Sequence, residues 1–211
     1  KFIVTTTSSS ISRIQQAVNV AIKYNRKIVF AGRSIENNVE VAIRLGFLNI
    51  PKNSVIRADE VTRYPAKEIM VLATGALGQD HSALVRMAQG DHKIKITRGD
   101  FVTFSQDPIP GSENSVTSLI NALIKAGADV YYTGVLDDLH VSGHESAEGL
   151  KLMLNLVKPK YVLPFGAELR QIHQYQKMVK TMGYQDDQII CPEEGRVVEI
   201  AEGKVKLGGK V

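Results

Sequence analysis

The chain has 211 residues, 44% apolar and 23% charged, which describes an ordinary soluble globular protein with room for one domain, or one domain and part of another. Its net charge of +4 and pI near 9.1 permit a polyanionic partner without demanding one, and with no tryptophan and no RNP-like aromatic cluster a base-stacking platform of the RRM kind is not expected. No apolar run reaches the length of a membrane span and no signal peptide is visible, while a single cysteine, Cys191, excludes an internal disulfide and fits a reducing cytoplasm.

The elements follow in order. Lys1 leads almost at once into the strand Phe2 to Thr6, so the chain is expected to have been cut from something longer. The turn Thr7-Ser8-Ser9-Ser10 follows. Ile11, Ile14, Val18, Ala21 and Ile22 then recur at helical spacing, with Ser9 or Ser10 as N-cap. Lys27 to Ala31 is the next strand and Gly32-Arg33-Ser34 its turn. Ile35 to Leu45 is a helix with Gly46 closing it, and Ser34 is expected as an N-cap, not a nucleophile. Pro51 to Pro65 is connecting chain. Ile69 to Ala73 is a strongly apolar strand ending in Thr74-Gly75-Ala76-Leu77-Gly78-Gln79. His81 to Met87 is a short helix, Phe101 to Phe104 a strand, Val116 to Ala126 a helix begun by Ser112, and Ala128 to Thr133 a strand. Strands alternating with helices through short turns predict a doubly wound, mostly parallel α/β sheet of Rossmann-like type.

Beyond Leu139 comes His140-Val141-Ser142-Gly143-His144, then a helical segment to Val157, a strand Tyr161 to Pro164, a helix Glu168 to Met182, strands Gln188 to Cys191 and Arg196 to Ile200, and a Gly-Lys tail. No internal repeat or low-complexity segment is present.

Four of the strand ends carry Ser, Thr, Gly and Pro: Thr7–Ser10, Gly32–Ser34, Thr74–Gln79 and Ser105–Ser112. Ligands of open α/β sheets gather outside the carboxyl strand ends, so these loops are expected to form one rim, uncharged but rich in donors and suited to a sugar–phosphate chain. Arg13 and Arg33 stand beside these ends, either as solvated arginines or as a phosphate clamp. The turn at Ser142 and Gly143 offers a hydroxyl and an unhindered N–H before a helix. It reads either as an anion site or as a loop with two exposed histidines. His81, His92 and His173 are expected to be solvated.

The chain lacks a Gly-x-x-x-x-Gly-Lys-Ser/Thr phosphate loop and a Gly-x-Ser-x-Gly elbow, and Gly75-x-x-Gly78 alone is a weak signal. His140 and His144 are four apart but flank a turn, so helical zinc geometry does not follow and no third ligand accompanies them.

Taken together, several segments in order carry a resemblance: Thr6-x-x-Ser9-x-Ile11-x-Arg13, Gly32-Arg33-Ser34-x-Glu36-Asn37, Thr74-Gly75-x-x-Gly78, Ser82-Ala83-Leu84-x-Arg86-Met87-Ala88-x-Gly90-x-His92-Lys93, Pro108-Ile109-Pro110-Gly111-x-Glu113, His140-Val141-Ser142-Gly143-His144, and Leu152 through Tyr161. The combination resembles the β-CASP part of ribonuclease J, a nuclease of metallo-β-lactamase type, over essentially the whole chain. The resemblance implies that residues 1–140 are a β-CASP domain. Residues 145–211 would be the C-terminal part of the metallo-β-lactamase domain, a partial αβ layer whose N-terminal part, with the main metal motif, this chain lacks.

The resemblance also implies an intact parent that is a cytoplasmic, homo-oligomeric ribonuclease using zinc or manganese, with single-stranded RNA as substrate and no membrane association. The chain alone is expected to be inactive and to bind no metal. Ser9, Ser10, Arg13, Arg33, His140, Ser142 and Gly143 would hold an RNA phosphate, and His144 would assist at the scissile one. Two departures bear on this. Gly166 stands where the family has a metal-ligand histidine, and Ser10 and Ser12 replace an asparagine and a histidine of the usual turn. A non-catalytic RNA-binding or partner subunit is therefore the alternative reading, and a small-molecule α/β enzyme a third. An exposed apolar surface is expected on residues 145–211, because half a domain leaves strand faces unpaired.

Overall fold

In a computed structural model of the chain, the described residues are 1–109, 111–136, 139 and 143–211. They fold as two compact units, Lys1–Val141 and Ser142–Val211.

The first unit runs β1 (Phe2–Thr5), α1 (Ile11–Lys23), β2 (Lys27–Ala31), α2 (Arg33–Arg44), β3 (Ile69–Ala73), α3 (Ala83–Ala88), β4 (Phe101–Phe104), α4 (Glu113–Lys125) and β5 (Asp129–Tyr131). The five strands form one wholly parallel sheet in the order β2-β3-β1-β4-β5. The expected α/β sheet is thus present. β3 is buried at every residue, as a continuous Ile-Met-Val-Leu-Ala run in a parallel sheet should be.

Alternation along the strands builds two cores. Ile3, Val29, Val71, Val102 and Phe104 face the side covered by α3 and α4. Ile28, Phe30, Met70 and Leu72 face the other side, where Ile14, Val18 and Ala21 of α1 and Ile35, Val39 and Ala42 of α2 cover them. Ile14 and Val18 are fully buried, each burial stabilising by roughly 1.5–3 kcal/mol. Helix α1 leads from β1 toward β2 and α4 from β4 toward β5, so the chain changes direction between β1 and β4. That is the switch point where such sheets place ligands.

The second unit contains α5 (Ala147–Val157), α6 (Leu169–Thr181) and an antiparallel hairpin of β6 (Arg196–Ala201) and β7 (Lys204–Lys210). Its core is small: Leu154, Val162, Val179 and Ile189, with Tyr175, Met178 and Tyr184 against them. The strands expected at Tyr161–Pro164 and Gln188–Cys191 reduce to a single parallel bridge, Val162 to Ile189. The expected Gly-Lys tail is instead β7. Glu202 and Gly203 both take positive φ, 53° and 70°, as a two-residue hairpin turn of matching twist requires. Leu152, Met153, Leu156, Phe165 and Leu169 remain between 60% and 92% exposed, so the expected apolar surface is present. No helix among the described residues is long and apolar enough to cross a membrane.

Candidate nucleic-acid interface

The carboxyl strand ends of the first unit are stitched together by hydrogen bonds. The Thr7 hydroxyl donates to Gln106 Oε1 at 2.5 Å, and Ser105 Oγ donates to Thr6 Oγ1 at 3.4 Å, so the loops after β1 and β4 hold each other at the switch point. Asn38 of α2 donates to the Ser8 carbonyl at 2.8 Å and fixes the β1 turn from the other side. Two glycines let the loops interlock. A Cβ on Gly32, at φ 126°, would lie 2.2 Å from Thr74 Oγ1, and one on Gly75, at φ 112°, would lie 2.2 Å from Ser82 Oγ.

The result is a cleft of about 470 Å³. Thr6, Thr7 and Ser8 form one wall, Thr74 to Leu77 and Gln79 to Ser82 another, and Gln106 closes an end. Arg33 and Ser34, the first residues of α2, line it too, so a helix N-terminus opens on the cleft with its unpaired N–H groups and positive dipole end. Hydroxyls, amides and one exposed guanidinium suit a phosphodiester, which offers acceptors and charge but little apolar surface. The buried Ser82 hydroxyl has no hydrogen-bond partner among the described residues.

Three of the four expected loops and the start of a fourth, at Gln106, therefore meet here, with corrections in detail. The rim is not uncharged, because Arg33, Asp80 and His81 line it. Ser34 is not the N-cap: Gly32 occupies that position and Ser34 is the second residue of α2. Ser9 is exposed and Ser10 half-buried, and neither lines the cleft; Thr6, Thr7 and Ser8 do. Ser10 is the N-cap of α1 by backbone geometry, but its hydroxyl makes no capping bond. Arg13 does not converge with Arg33. Its Nη1 donates to the Ser105 carbonyl at 3.0 Å, and it lines a separate groove of about 680 Å³ beside α1.

His140 and Ser142 lie outside the described residues. Gly143 and His144 are exposed and belong to the second unit, and a Cβ on Gly143 would meet nothing within 4 Å. His173 is exposed as expected, but His92 is half-buried, its Nδ1 accepting from the Ile94 N–H at 3.1 Å. Burial first, then the Arg86 charge, lowers the His92 pKa and favours its neutral form.

The cleft residues outside the loops expected from sequence are Thr6, Asp80, His81 and Ser82. His81 is a non-glycine residue at φ 61°, a turn conformation that no short-range signal in the sequence announces.

The sequence profile of the ribonuclease J β-CASP domain matches residues 1–123. The chain belongs to the ribonuclease J family. The ribonuclease J of Helicobacter pylori is 41% identical to it over 212 aligned residues, covering the whole of this chain and 31% of the relative. Ribonuclease J2 of Bacillus subtilis is 36% identical over the whole chain and 38% of its own length. Ribonuclease J 1 of Streptococcus pyogenes is 36% identical over 96% of this chain and 36% of its own length. The chain thus spans about a third of the length of the curated relatives it matches.

The metal chemistry of a ribonuclease J of metallo-β-lactamase type has no ligand set among the described residues: no group of three His, Cys, Asp or Glu side chains is placed to hold an ion. Gly166 has φ 70° and open space where a Cβ would stand.

Proposed function

We propose that this ribonuclease J chain binds the sugar–phosphate backbone of single-stranded RNA in its carboxyl-end cleft, as the β-CASP portion of a metal-dependent RNA hydrolase active in RNA processing or decay. In this reading residues 1–140 are the β-CASP domain and 145–211 the C-terminal part of the metallo-β-lactamase domain. The observation that carries it is the meeting of three strand-end loops, Gln106 and the N-terminus of α2 around Arg33.

Arg33 pairs with a phosphate, while Thr7, Ser8, Ser34 and Thr74 offer hydroxyls to phosphate and sugar oxygens. Such contacts position a strand without reading its bases. Ser9, Ser10 and Arg13 do not line this cleft and act on an adjoining phosphate. His140, Ser142 and Gly143, in the segment before α5, would hold an RNA phosphate of their own, and His144 assists at the scissile phosphate. In this reading the chain's part is to hold RNA, and it is inactive by itself. Gly166 favours a second reading, a non-catalytic RNA-binding subunit. Turnover of RNA by the whole protein excludes that reading, and its absence with RNA binding intact establishes it.

The test is anisotropy of a labelled single-stranded RNA across a salt series. Arg33→Ala should weaken binding about tenfold, the worth of one charge-assisted bond, and flatten the log–log salt slope by roughly 0.7. Unchanged affinity and slope would remove the cleft from the account.

A further inference from the structure

The loop that walls the cleft on one side borders a second cavity on the other. A groove of about 300 Å³ lies between α3 and α4. Asp80 lines both the groove and the cleft, so a single residue stands between the two. Gly78 makes this junction close. It lets the loop lie against the first turn of α4, where a Cβ would come within 2.5 Å of the Ser115 carbonyl oxygen.

The floor of the groove is apolar, with Val85 of α3 and Leu119 of α4 both buried. Its rim is polar: Asp80, Gln89, Asn114, Ser115 and Ser118 are all exposed. Among the described residues, none of these five side chains makes a hydrogen bond or an ion pair. Two carboxamides, two hydroxyls and a carboxylate therefore surround one small apolar floor with their bonding capacity unspent.

This chemistry differs from that of the cleft. Among the described residues no cation lines the groove, and its one charge is negative, which disfavours a phosphate. An apolar floor inside a ring of donors and acceptors suits a flat heterocycle that packs by its face and bonds through its edge. The volume is at the small end for a ligand pocket and fits a single base. Among the four RNA bases, only guanine sets two N–H donors, N1–H and the N2 amine, side by side on its Watson–Crick edge. A carboxylate accepts both at once. The carboxamide N–H groups of Gln89 and Asn114 and the hydroxyls of Ser115 and Ser118 are then donors for O6 and N7.

We propose that the α3–α4 groove is a base-reading subsite that takes a guanine of the single-stranded RNA, with Asp80 as its specificity-determining residue. The inference rests on the reading of the cleft as an RNA site: the phosphate held at Arg33 and the base held past Asp80 belong to one strand. The cleft positions RNA without reading it, and the groove adds a sequence preference.

The test is anisotropy of labelled RNAs of about ten nucleotides, within the usual footprint of one single-strand site. One is all uridine, one carries a single central guanosine, and one carries inosine there, which keeps N1–H but lacks the N2 amine. The guanosine RNA should bind about tenfold tighter than the all-uridine RNA, and inosine should lose most of that advantage. Asp80→Asn should cut the advantage below about threefold while tightening the all-uridine RNA, because a negative charge leaves the cleft rim. Ser118→Leu, at an exposed position of α4, fills the groove and should also remove the advantage. Equal binding of the three RNAs by the parent chain overturns the proposal. So does an advantage that survives both variants, or an Asp80→Asn variant that weakens all three RNAs alike. Arg33→Ala separates the two readings: it should weaken every RNA about tenfold and keep their ratios. If it affects none of them while Ser118→Leu still removes the guanosine advantage, the cleft reading fails and the groove stands.

Discussion

Alanine at Gly78 should cost about 3 kcal/mol of stability and abolish RNA binding in the cleft together. Gly78 holds φ 69°, where an L side chain costs roughly 1–2 kcal/mol. A Cβ there would also lie 2.5 Å from the Ser115 carbonyl oxygen and 2.6 Å from its carbon. Those atoms are backbone in the first turns of α4 and cannot rotate aside, so overpacking adds about 1–3 kcal/mol. The loop must lift off α4, and it carries the cleft wall from Thr74 to Ser82 with it. Gly90 is the control: it too has positive φ, 77°, but nothing within 4 Å of its Cβ position, so alanine there should cost only about 1 kcal/mol. Urea unfolding of the two variants separates the effects, and equal midpoints would disprove the packing part.

Phe104→Ala should destabilise the first unit by about 3–5 kcal/mol. Phe104 is 1% exposed, the last residue of β4 and part of the core beneath α3 and α4. It lies beside Thr5 in register, and the next residue, Ser105, donates its N–H to the Thr5 carbonyl at 3.0 Å. The cavity left by alanine therefore sits directly under the switch point. Phe104→Leu keeps most of the volume and should cost less than about 1.5 kcal/mol. Chemical denaturation monitored by circular dichroism gives both values, and a loss below about 1 kcal/mol for alanine would mean the site collapses without strain.

The sheet was legible because its signals are local and strong. The short apolar run Ile69 to Ala73, bounded by Pro65 and Gly75, has the length and flanks of a buried strand, and Ile14, Val18 and Ala21 fall on the face that α1 buries. The second unit was read less well. Tyr161 to Pro164 and Gln188 to Cys191 have strand composition, yet pair through one bridge only, because ladder length depends on neighbours that a local pattern does not encode. β7 was missed for the opposite reason. Lys204, Lys206 and Lys210 give an exposed edge strand a charged, tail-like composition, and the turn at Glu202 and Gly203 was the only cue.

At the site, the loops were legible but the residues within them were not. Which hydroxyls of Thr6 to Ser10 face the cleft depends on how Asn38 and Gln106 hold the turn, contacts made across 30 and 99 residues. Arg13 and Arg33 look alike in sequence, both close to hydroxyl-bearing strand ends. Only the fold separates them, one tied to Ser105 and the other set on the cleft.

The most direct test of the RNA cleft is amide hydrogen exchange on the chain with and without a 5′-phosphorylated single-stranded RNA. The account predicts slowed exchange in the segments 6–8, 33–35 and 74–82, the backbone that surrounds the cleft, with little change in the buried strand β3, already protected. Protection confined to the second unit, or none anywhere at saturating RNA, would contradict it.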